Sequence, residues 1–293
     1  MPNTFTPTLV AQVAVKYAVK GFVLSGEVYR DVESEYRPGS GHVAKVRVPG
    51  GAKTTLRDAN DLSTIPASNL DEKTIDVTLR EAHSRAVLGT AERDLGITDF
   101  TRQVIAPLVT SVADTCEAQV AGLVNAVTLN DTVTYADGGN LAKAITAARS
   151  ILRGNGVQTA DEIVAFLGVD AYAAALDSGL LENGDSIRRV RIIETDRMTN
   201  PADVVVAAPK RAFTLAVRAP EVPDGVASGA SVKDEDAGFG LRYVETFDGS
   251  IAASTALVSA YVGAKALPLP VLDPETGTVN LVEGGAAVRF TAA

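Results

Sequence analysis

The chain has 293 residues, of which 46% are hydrophobic and 5% aromatic, and its formal net charge is −9. This composition is typical of a globular protein and excludes a largely disordered chain, and the length suffices for one large domain or two smaller ones. The acidic charge disfavours tight nucleic-acid binding, which needs basic patches, and a single cysteine excludes an internal disulfide.

The sequence has no pattern typical of a membrane-spanning helix or a secretion signal. No apolar run approaches the ~20 residues that a membrane-spanning helix needs. The first residues lack both a basic start and an apolar stretch, so we expect no secretion signal and a cytoplasmic site of synthesis.

The first segment, residues 8–31, is rich in apolar side chains with weak helical spacing. The residues that carry this spacing are Leu9, Val13 and Tyr17, with Val15, Val19 and Phe22 as a second set. The segment predicts a helical arm that ends in a short extended stretch.

Two strands are predicted at 43–48 and 75–80, because apolar and polar residues alternate with a period of two in both. A polar insert, residues 49–74, joins them. A connection of that length without structure of its own is uncommon inside a compact domain and is usually functional. Because an isolated two-stranded ribbon is marginal in water, and no other part of the sequence offers obvious cover, we expect a second subunit to cover it.

A long helix is predicted over 98–127, with Thr98 as its N-cap. Its apolar stripe consists of Phe100, Val104, Leu108, Val112, Cys116, Val120, Leu123 and Val127. Pro107 lies inside the helix and is expected to bend it, with Gly122 as a second point of flexibility. Cys116 is predicted to be buried and inert.

The second half of the chain predicts alternating helices and strands. Helices are expected at 141–152, closed by Gly154, at 170–177 and at 210–218. Strands are expected at 163–167, 190–193, 204–208, 239–246 and 254–264, with a long exposed loop at 220–238 and two short strand-like pieces in the tail, 268–293.

Residues for catalysis or cofactor binding are sparse. The two histidines, His42 and His83, flank the ribbon strands, and neither neighbourhood carries a nucleophile motif. Zinc, phosphate-loop and calcium-loop spacings are absent. The one basic cluster is Arg188, Arg189, Arg191 and Arg197, and it is most simply the solvated face of a strand. We therefore predict no catalytic, metal or cofactor site, and no enzyme.

Five stretches, together with the order of elements, resemble a known family. They are TPTLVAQV at 6–13, HVAKVRVP at 42–49, GITDFTRQ at 96–103 and FLGVDAY at 166–172, followed by 187–197. In this order they resemble the major capsid proteins of tailed bacteriophages, which have the Hong Kong 97-type fold. The resemblance covers nearly the whole chain, and it rests more on the order of elements than on any one motif.

The resemblance implies an α+β, Hong Kong 97-like fold. The implied parts are an N-terminal arm at 1–36, an extended β-hairpin loop at 37–90, a peripheral domain with the long spine helix at 91–136, an axial domain at 137–255, and C-terminal strands at 256–293 that return to the peripheral domain. No built-in scaffolding segment precedes the arm in this expectation.

The implied function is a capsid protein that self-assembles into hexamers and pentamers of an icosahedral shell around double-stranded DNA, without sequence-specific binding. Contacts between subunits are expected at Tyr29, Arg30, Lys53, Arg57 and Lys73. Some relatives cross-link a loop lysine to an asparagine; Lys53 is the best placed here and Lys73 the second, although a plain polar contact is the simpler interpretation.

The implied partners are a separate scaffolding protein, a portal and a decoration protein, with the virion as the final location and the host cytoplasm as the place of assembly. Two other functions stay open. One is an encapsulin-type nanocompartment shell, which shares the fold. The other is an α/β metabolic enzyme, which only the alternation in 139–218 favours.

Overall fold

The structure, a computed structural model, describes residues 7–30, 41–52, 54–56, 58–60, 63–64, 70, 72–89, 100–182, 184–226, 228–234, 238–273 and 275–293. Its helices are α1 (Pro7–Lys20), α2 (Ala106–Asn125), α3 (Gly138–Gly154), α4 (Val169–Asp177) and α5 (Pro209–Ala212). Its strands are β1 (Val43–Val48), β2 (Lys73–Thr78), β3 (Arg80–Leu88), β4 (Leu129–Tyr135), β5 (Val164–Leu167), β6 (Ser186–Ile187), β7 (Val190–Glu194), β8 (Val204–Ala207), β9 (Phe213–Arg218), β10 (Ser228–Asp234), β11 (Phe239–Asp248), β12 (Ala253–Ala266), β13 (Leu269–Leu272), β14 (Val279–Val282) and β15 (Ala287–Ala292).

The mixed α and β content agrees with the predicted class. The chain divides into two compact units, the first formed by the described residues of 1–44, 77–122 and 215–265 and the second by those of 45–76, 123–214 and 266–293.

The first unit is built on an antiparallel sheet in the order β10-β11-β12-β3, with β9 also paired to β12. Helix α1 packs on β10 and β11. Gly263 in β12 allows a close approach of the chain at Thr78, because a Cβ added to this glycine would lie 2.5 Å from the Thr78 carbonyl oxygen. The sheet and the helix thus form one layered core.

The second unit contains a six-stranded mixed sheet in the order β4-β15-β8-β5-β7-β6. Its central strands β5 and β8 are fully buried, which explains why their sequences are continuous apolar runs rather than alternating ones. Helix α3 packs against β4, β15 and β8, and its side chains Leu141, Ile145 and Leu152 are buried there.

A buried ion pair fastens the last strand of this unit. Asp203, which is almost fully buried, pairs with Arg289 of β15, and the Arg289 Nε donates to Asp203 Oδ2 at 2.9 Å. The same guanidinium donates to the carbonyl oxygen of Asn125, the last residue of α2. The ion pair therefore joins β15, the segment before β8 and a helix C-terminus.

The predicted apolar stripe of the long helix is confirmed for its central members, since Val104, Leu108, Val112, Cys116 and Val120 are all buried. The prediction of one α-helix over 98–127 is wrong in two respects. A π-helical turn, Thr101–Ile105, precedes α2, and α2 ends at Asn125. The predicted N-cap lies outside the described residues.

The predicted buried faces of the two ribbon strands are confirmed. Ala44, Val46 and Val48 are buried in β1, as are Ile75 and Val77 in β2. The second strand differs from its predicted range, because the chain leaves β2 at Thr78 and continues as the separate strand β3.

The predicted secondary structure is wrong for two segments. Residues 210–218 form a single helical turn, which begins at Pro209, followed by the buried strand β9; β-branched and aromatic residues favour that strand once it has β12 to pair with. The predicted loop at 220–238 contains strand β10, whose small and polar residues hide the pattern. Gly154 is the last residue of α3 rather than its C′ residue, and Asn155 is the C-cap.

The expected boundary at 255/256 also differs from the observed units. Residues 253–265 of β12 lie in the first unit, and β15 pairs with β4 and β8 in the second. Strand β15 lies between β4 and β8 in the sheet of the second unit, and its Val288 and Phe290 are buried there.

Candidate functional site: the long loop, the N-terminal segment and an arginine turn

The root of the long loop packs against the β13–β14 hairpin of its own chain. A Cβ added to Gly51 would lie 2.2 Å from Leu272 Cδ1 and 2.7 Å from the Gly277 carbonyl oxygen, so only glycine fits there without a shift. The expectation that the chain offers no cover for this ribbon is therefore corrected at its root, because the C-terminal hairpin supplies that cover.

Lys73 lies at the other end of the same root. Its Nζ donates to the carbonyl oxygen of Val279 at 2.7 Å, so its ammonium group is bound within its own chain. Lys53 and Arg57, the other two predicted contact residues of the loop, lie outside the described residues.

A carboxylate on α2 holds the segment that follows α1. Glu117 is 2% exposed, and its Oε1 accepts hydrogen bonds from the backbone N–H groups of Val23 at 3.0 Å and Ser25 at 2.9 Å. Its Oε2 accepts from the N–H of Leu24 at 3.1 Å. Three backbone donors thus satisfy the oxygens of this buried side chain. This contact was not predicted from the sequence, in which Glu117 is one of two acidic residues beside the apolar stripe.

Arg30 completes the same contact region. Its Nη2 donates to the Ser25 carbonyl oxygen at 2.8 Å and its Nη1 to that of Gly238 at 2.9 Å. Its guanidinium also lies 5.3 Å from the ring centroid of Phe22, which packs edge-on against Phe239. Arg30, which was predicted to contact another subunit, thus binds groups within the first unit of its own chain.

Tyr29 joins the segment to strand β9. Its carbonyl oxygen accepts from the Leu215 N–H at 3.1 Å, and its side chain is partly exposed. The structure therefore brings Tyr29 and Arg30 together with Glu117 as anchors of the N-terminal segment, and it places Lys73 apart from them in the other unit.

Cys116, beside Glu117, is fully buried, as predicted. Burial raises the pKa of its thiol to about 12, and the nearby Arg30 charge opposes that shift only in part. A thiol with so high a pKa holds almost no thiolate near neutral pH, so it is a poor nucleophile.

The predicted basic cluster is divided between a turn and an ion pair. Arg188 and Arg189 form the exposed two-residue turn between β6 and β7, with φ of 54° and 64°. Two successive positive φ values are typical of a type I′ hairpin turn, which ordinarily uses Asn-Gly. Arg191 instead pairs with Glu162 at 2.8 Å, on the surface. Arg188 and Arg189 are thus solvent-exposed, as predicted, but they lie in a turn rather than on the face of a strand.

A small cavity of about 290 Å³ lies within the second unit. It is lined mostly by aliphatic side chains from the end of α2, the start of β9 and the segment before β15, with Glu283 as its one charged residue. Among the described residues, no group of three or more His, Cys, Asp or Glu side chains could hold a metal ion. No described helix is both long and apolar enough to cross a membrane.

Comparison by sequence finds no relatives: no family model and no curated protein matches the chain. Comparison by structure finds similar folds. The capsid of Ralstonia phage GP4 matches with a TM-score of 0.56 at 9% identity, covering 93% of this chain and 89% of that one. The capsid of cyanophage P-SCSP1u matches with a TM-score of 0.56 at 12% identity, covering 87% and 84%.

A third similar structure is the virus-like particle from Pyrococcus furiosus, with a TM-score of 0.53 at 13% identity, covering 96% of this chain and 97% of that one. Matches over nearly the whole of both chains show that this chain has the fold of phage capsid proteins.

Proposed function

We propose that this chain is the major capsid protein of a tailed, double-stranded DNA bacteriophage, and that its copies assemble into hexamers and pentamers of an icosahedral shell. The observation that carries the proposal is the match to phage capsids over about nine-tenths of both chains. The long loop between β1 and β2 also supports it, because a connection of that length is uncommon inside a compact domain and is usually functional.

In this proposal the two units correspond to the domains of a Hong Kong 97-like subunit. The peripheral domain would comprise the first unit with α2 as its spine, and the axial domain would comprise the six-stranded sheet of the second unit. The C-terminal strands would then belong to the axial side, in contrast to the boundaries expected from sequence. The arm would be residues 1–36, and the extended loop would leave its root at Gly51 and Lys73 to reach a neighbouring subunit.

The contacts between subunits would then come from the loop beyond its root, where Lys53 and Arg57 lie in sequence, rather than from Arg30 or Lys73, which already bind carbonyl groups of their own chain. The enclosed DNA would be held without sequence-specific binding, which suits a chain of net charge −9.

A separate scaffolding protein, a portal and a decoration protein are the partners that such a shell would use, with assembly in the host cytoplasm and the virion as the final location. These partners follow from the proposed function by analogy alone.

A shell that encloses something other than a phage genome, of the encapsulin type, is the second candidate. The specific observation that favours it is the match to the virus-like particle from Pyrococcus furiosus, which covers slightly more of both chains than the matches to the two phage capsids named above.

Electron microscopy of the expressed chain tests both candidates. Closed shells, tubes or capsomer-like rings in the soluble fraction would support a shell protein, and the contents of native particles separate the candidates, because DNA favours the phage and an enclosed protein favours the nanocompartment. A chain that remains a monomer of about 30 kDa with every candidate scaffolding protein contradicts both.

A further inference from the structure

Helix α1 carries two apolar faces, although a surface helix ordinarily needs one. The face that contains Val10, Ala14 and Ala18 is buried on the sheet of the first unit. On the neighbouring face, about 100° away around the helix, Leu9 and Tyr17 are 52% and 45% exposed. With the half-buried Val13 between them, they form a row at i, i+4 and i+8, which we call the α1 stripe.

Positive charge lines one side of the α1 stripe. Lys16 is exposed one residue before Tyr17, and Lys20 is exposed three residues after it. On a helix, these offsets place both lysines on the same flank of the stripe, the flank that precedes it in the helical rotation. An apolar row with a basic flank is suited to a partner with an apolar row and an acidic flank.

Helix α4 in the second unit has that partner surface. Its buried face contains Ala171 and Ala175. On its outer face, Val169 and Leu176 are 44% and 53% exposed, and the exposed Ala173 lies between them; we call this row the α4 stripe.

Negative charge lines one side of the α4 stripe. Asp170 and Asp177 are exposed, and each comes one residue after a member of the stripe. They therefore lie on the flank that follows the stripe in the helical rotation, which is the opposite hand from the lysines of α1.

We propose that the α1 stripe of one copy packs in parallel on the α4 stripe of a second copy, with Leu9 level with Val169. The basic flank of Lys16 and Lys20 then lies on the same side as the acidic flank of Asp170 and Asp177, with Asp177 nearest to the lysines. The parallel direction follows from the flanks. When two parallel helices face each other, the preceding flank of one meets the following flank of the other, as the g and e positions do in a parallel coiled coil. In an antiparallel pair, like flanks would meet and the lysines would miss the aspartates.

The two stripes are different surfaces, so the contact is heterologous and repeats from copy to copy. Heterologous contacts close into rings when the rotation allows it, which is what the proposed function requires of a capsomer, and the inference rests on that function. Helices of 14 and 9 residues bury much less than the roughly 1,200 Å² of a stable pair. A single contact is therefore weak, and each copy in a ring is held by two of them.

A charge-swap series tests the electrostatic part. Lys16→Glu with Lys20→Glu, and separately Asp170→Lys with Asp177→Lys, should each lower the assembled fraction in sedimentation at least tenfold. The variant that carries all four changes should recover most of it. The matched control is Lys143→Glu with Lys210→Glu, the same change of charge on exposed residues of α3 and α5, which should assemble as the unaltered chain does.

Disulfide trapping between separately purified chains tests the pairing and its direction. Leu9→Cys in one chain and Val169→Cys in the other should form a covalent dimer when mixed under oxidising conditions. Leu9→Cys with Leu176→Cys should not, since parallel packing separates these ends by about 10 Å and a disulfide needs Cα atoms within about 7 Å. The buried Cys116 is present in every chain and serves as the internal control.

The outcomes separate this inference from the proposed function. Particles that form in normal yield from the charge-swapped chains, with no covalent dimer, overturn the inference and leave the proposed function standing. A covalent dimer only from the antiparallel pair overturns the parallel contact. Chains that never associate, with or without scaffolding candidates, overturn both.

Discussion

The Glu117 carboxylate in the middle of α2 accepts a hydrogen bond from the backbone N–H of Ser25 at 2.9 Å, and it binds the N–H groups of the two preceding residues as well. One buried side chain thus orders a turn that lies 92 residues earlier in the chain. Because this turn connects α1 to Arg30, Glu117 fixes the path of the chain between them.

Replacing Glu117 should destabilise the chain. In Glu117→Ala, three backbone N–H groups lose their acceptor, and two of them are buried. We therefore expect the free energy of unfolding in urea to fall by about 3 kcal/mol. Glu117→Gln keeps one acceptor oxygen but turns an amide N–H₂ toward donors. Its free energy of unfolding should therefore lie between those of the unaltered chain and Glu117→Ala. Glu221→Ala, at an exposed side chain of the same unit, is the control and should change stability by less than ~0.5 kcal/mol. Equal stability of all three variants would contradict the assignment.

Gly51→Ala should loosen the root of the long loop. The added methyl group would collide with Leu272 and with the carbonyl oxygen of Gly277, so the β13–β14 hairpin must move away. We expect faster trypsin cleavage after Lys53 and Arg57, measured by mass spectrometry under native conditions. Gly122→Ala is the matched control, because a Cβ there meets no atom within 4 Å. Identical cleavage in both variants would show that the hairpin does not hold the root.

Cys116 should make stability depend on pH in the alkaline range. Its pKa is raised by burial from 9.0 to about 12, so the folded chain retains a proton that the unfolded chain releases above pH 9. The stabilisation is complete below pH 9 and is lost as the pH rises from 9 toward 12, with a slope of about 1.4 kcal/mol per pH unit. Urea unfolding at pH 8 to 10.5 should show this slope in the unaltered chain and a smaller one in Cys116→Ala. The native thiol should also resist iodoacetamide at pH 8.5 and react once urea is added.

The Asp203–Arg289 pair should contribute to the stability of the second unit, because it is largely buried. Arg289→Ala leaves an almost fully buried carboxylate without its cation, and we expect a loss of about 3–5 kcal/mol, while the double variant with Asp203→Ala should recover part of it. The Arg191–Glu162 pair is the control, because both side chains are exposed and such pairs contribute less than about 1 kcal/mol. Thermal unfolding of the single and double variants gives a double-mutant cycle for each pair. Similar coupling energies for the two pairs would contradict the expectation that the buried pair contributes more.

Local patterns predicted the elements whose burial has a simple period. The alternation in β1 and β2 and the stripe through Val104 and Cys116 belong to this class, since each reflects one buried face. Strand β10 was not predicted, because its small and polar residues resemble a loop until β11 pairs with them. The pairing of β15 with β8 has no local signal, because the two strands are distant in sequence. The turn at Arg188 and Arg189 has no local signal, because arginine is not a residue that favours positive φ.

The π-helical turn before Pro107 leads to the last prediction. Proline lacks a backbone N–H, so no α-helical hydrogen bond can run from residue 107 to the Gln103 carbonyl, and the wider turn at Thr101–Ile105 lies directly before it. Pro107→Ala restores the donor. We expect the turn to become α-helical and the helix to straighten, visible as a change of particle curvature in electron microscopy of the assembled variant. Gly122→Ala, in the same helix, should instead stabilise α2 by about 0.5–1 kcal/mol without changing its N-terminal turn. Particles of unchanged curvature and yield from Pro107→Ala would mean that the proline does not set the path of this helix.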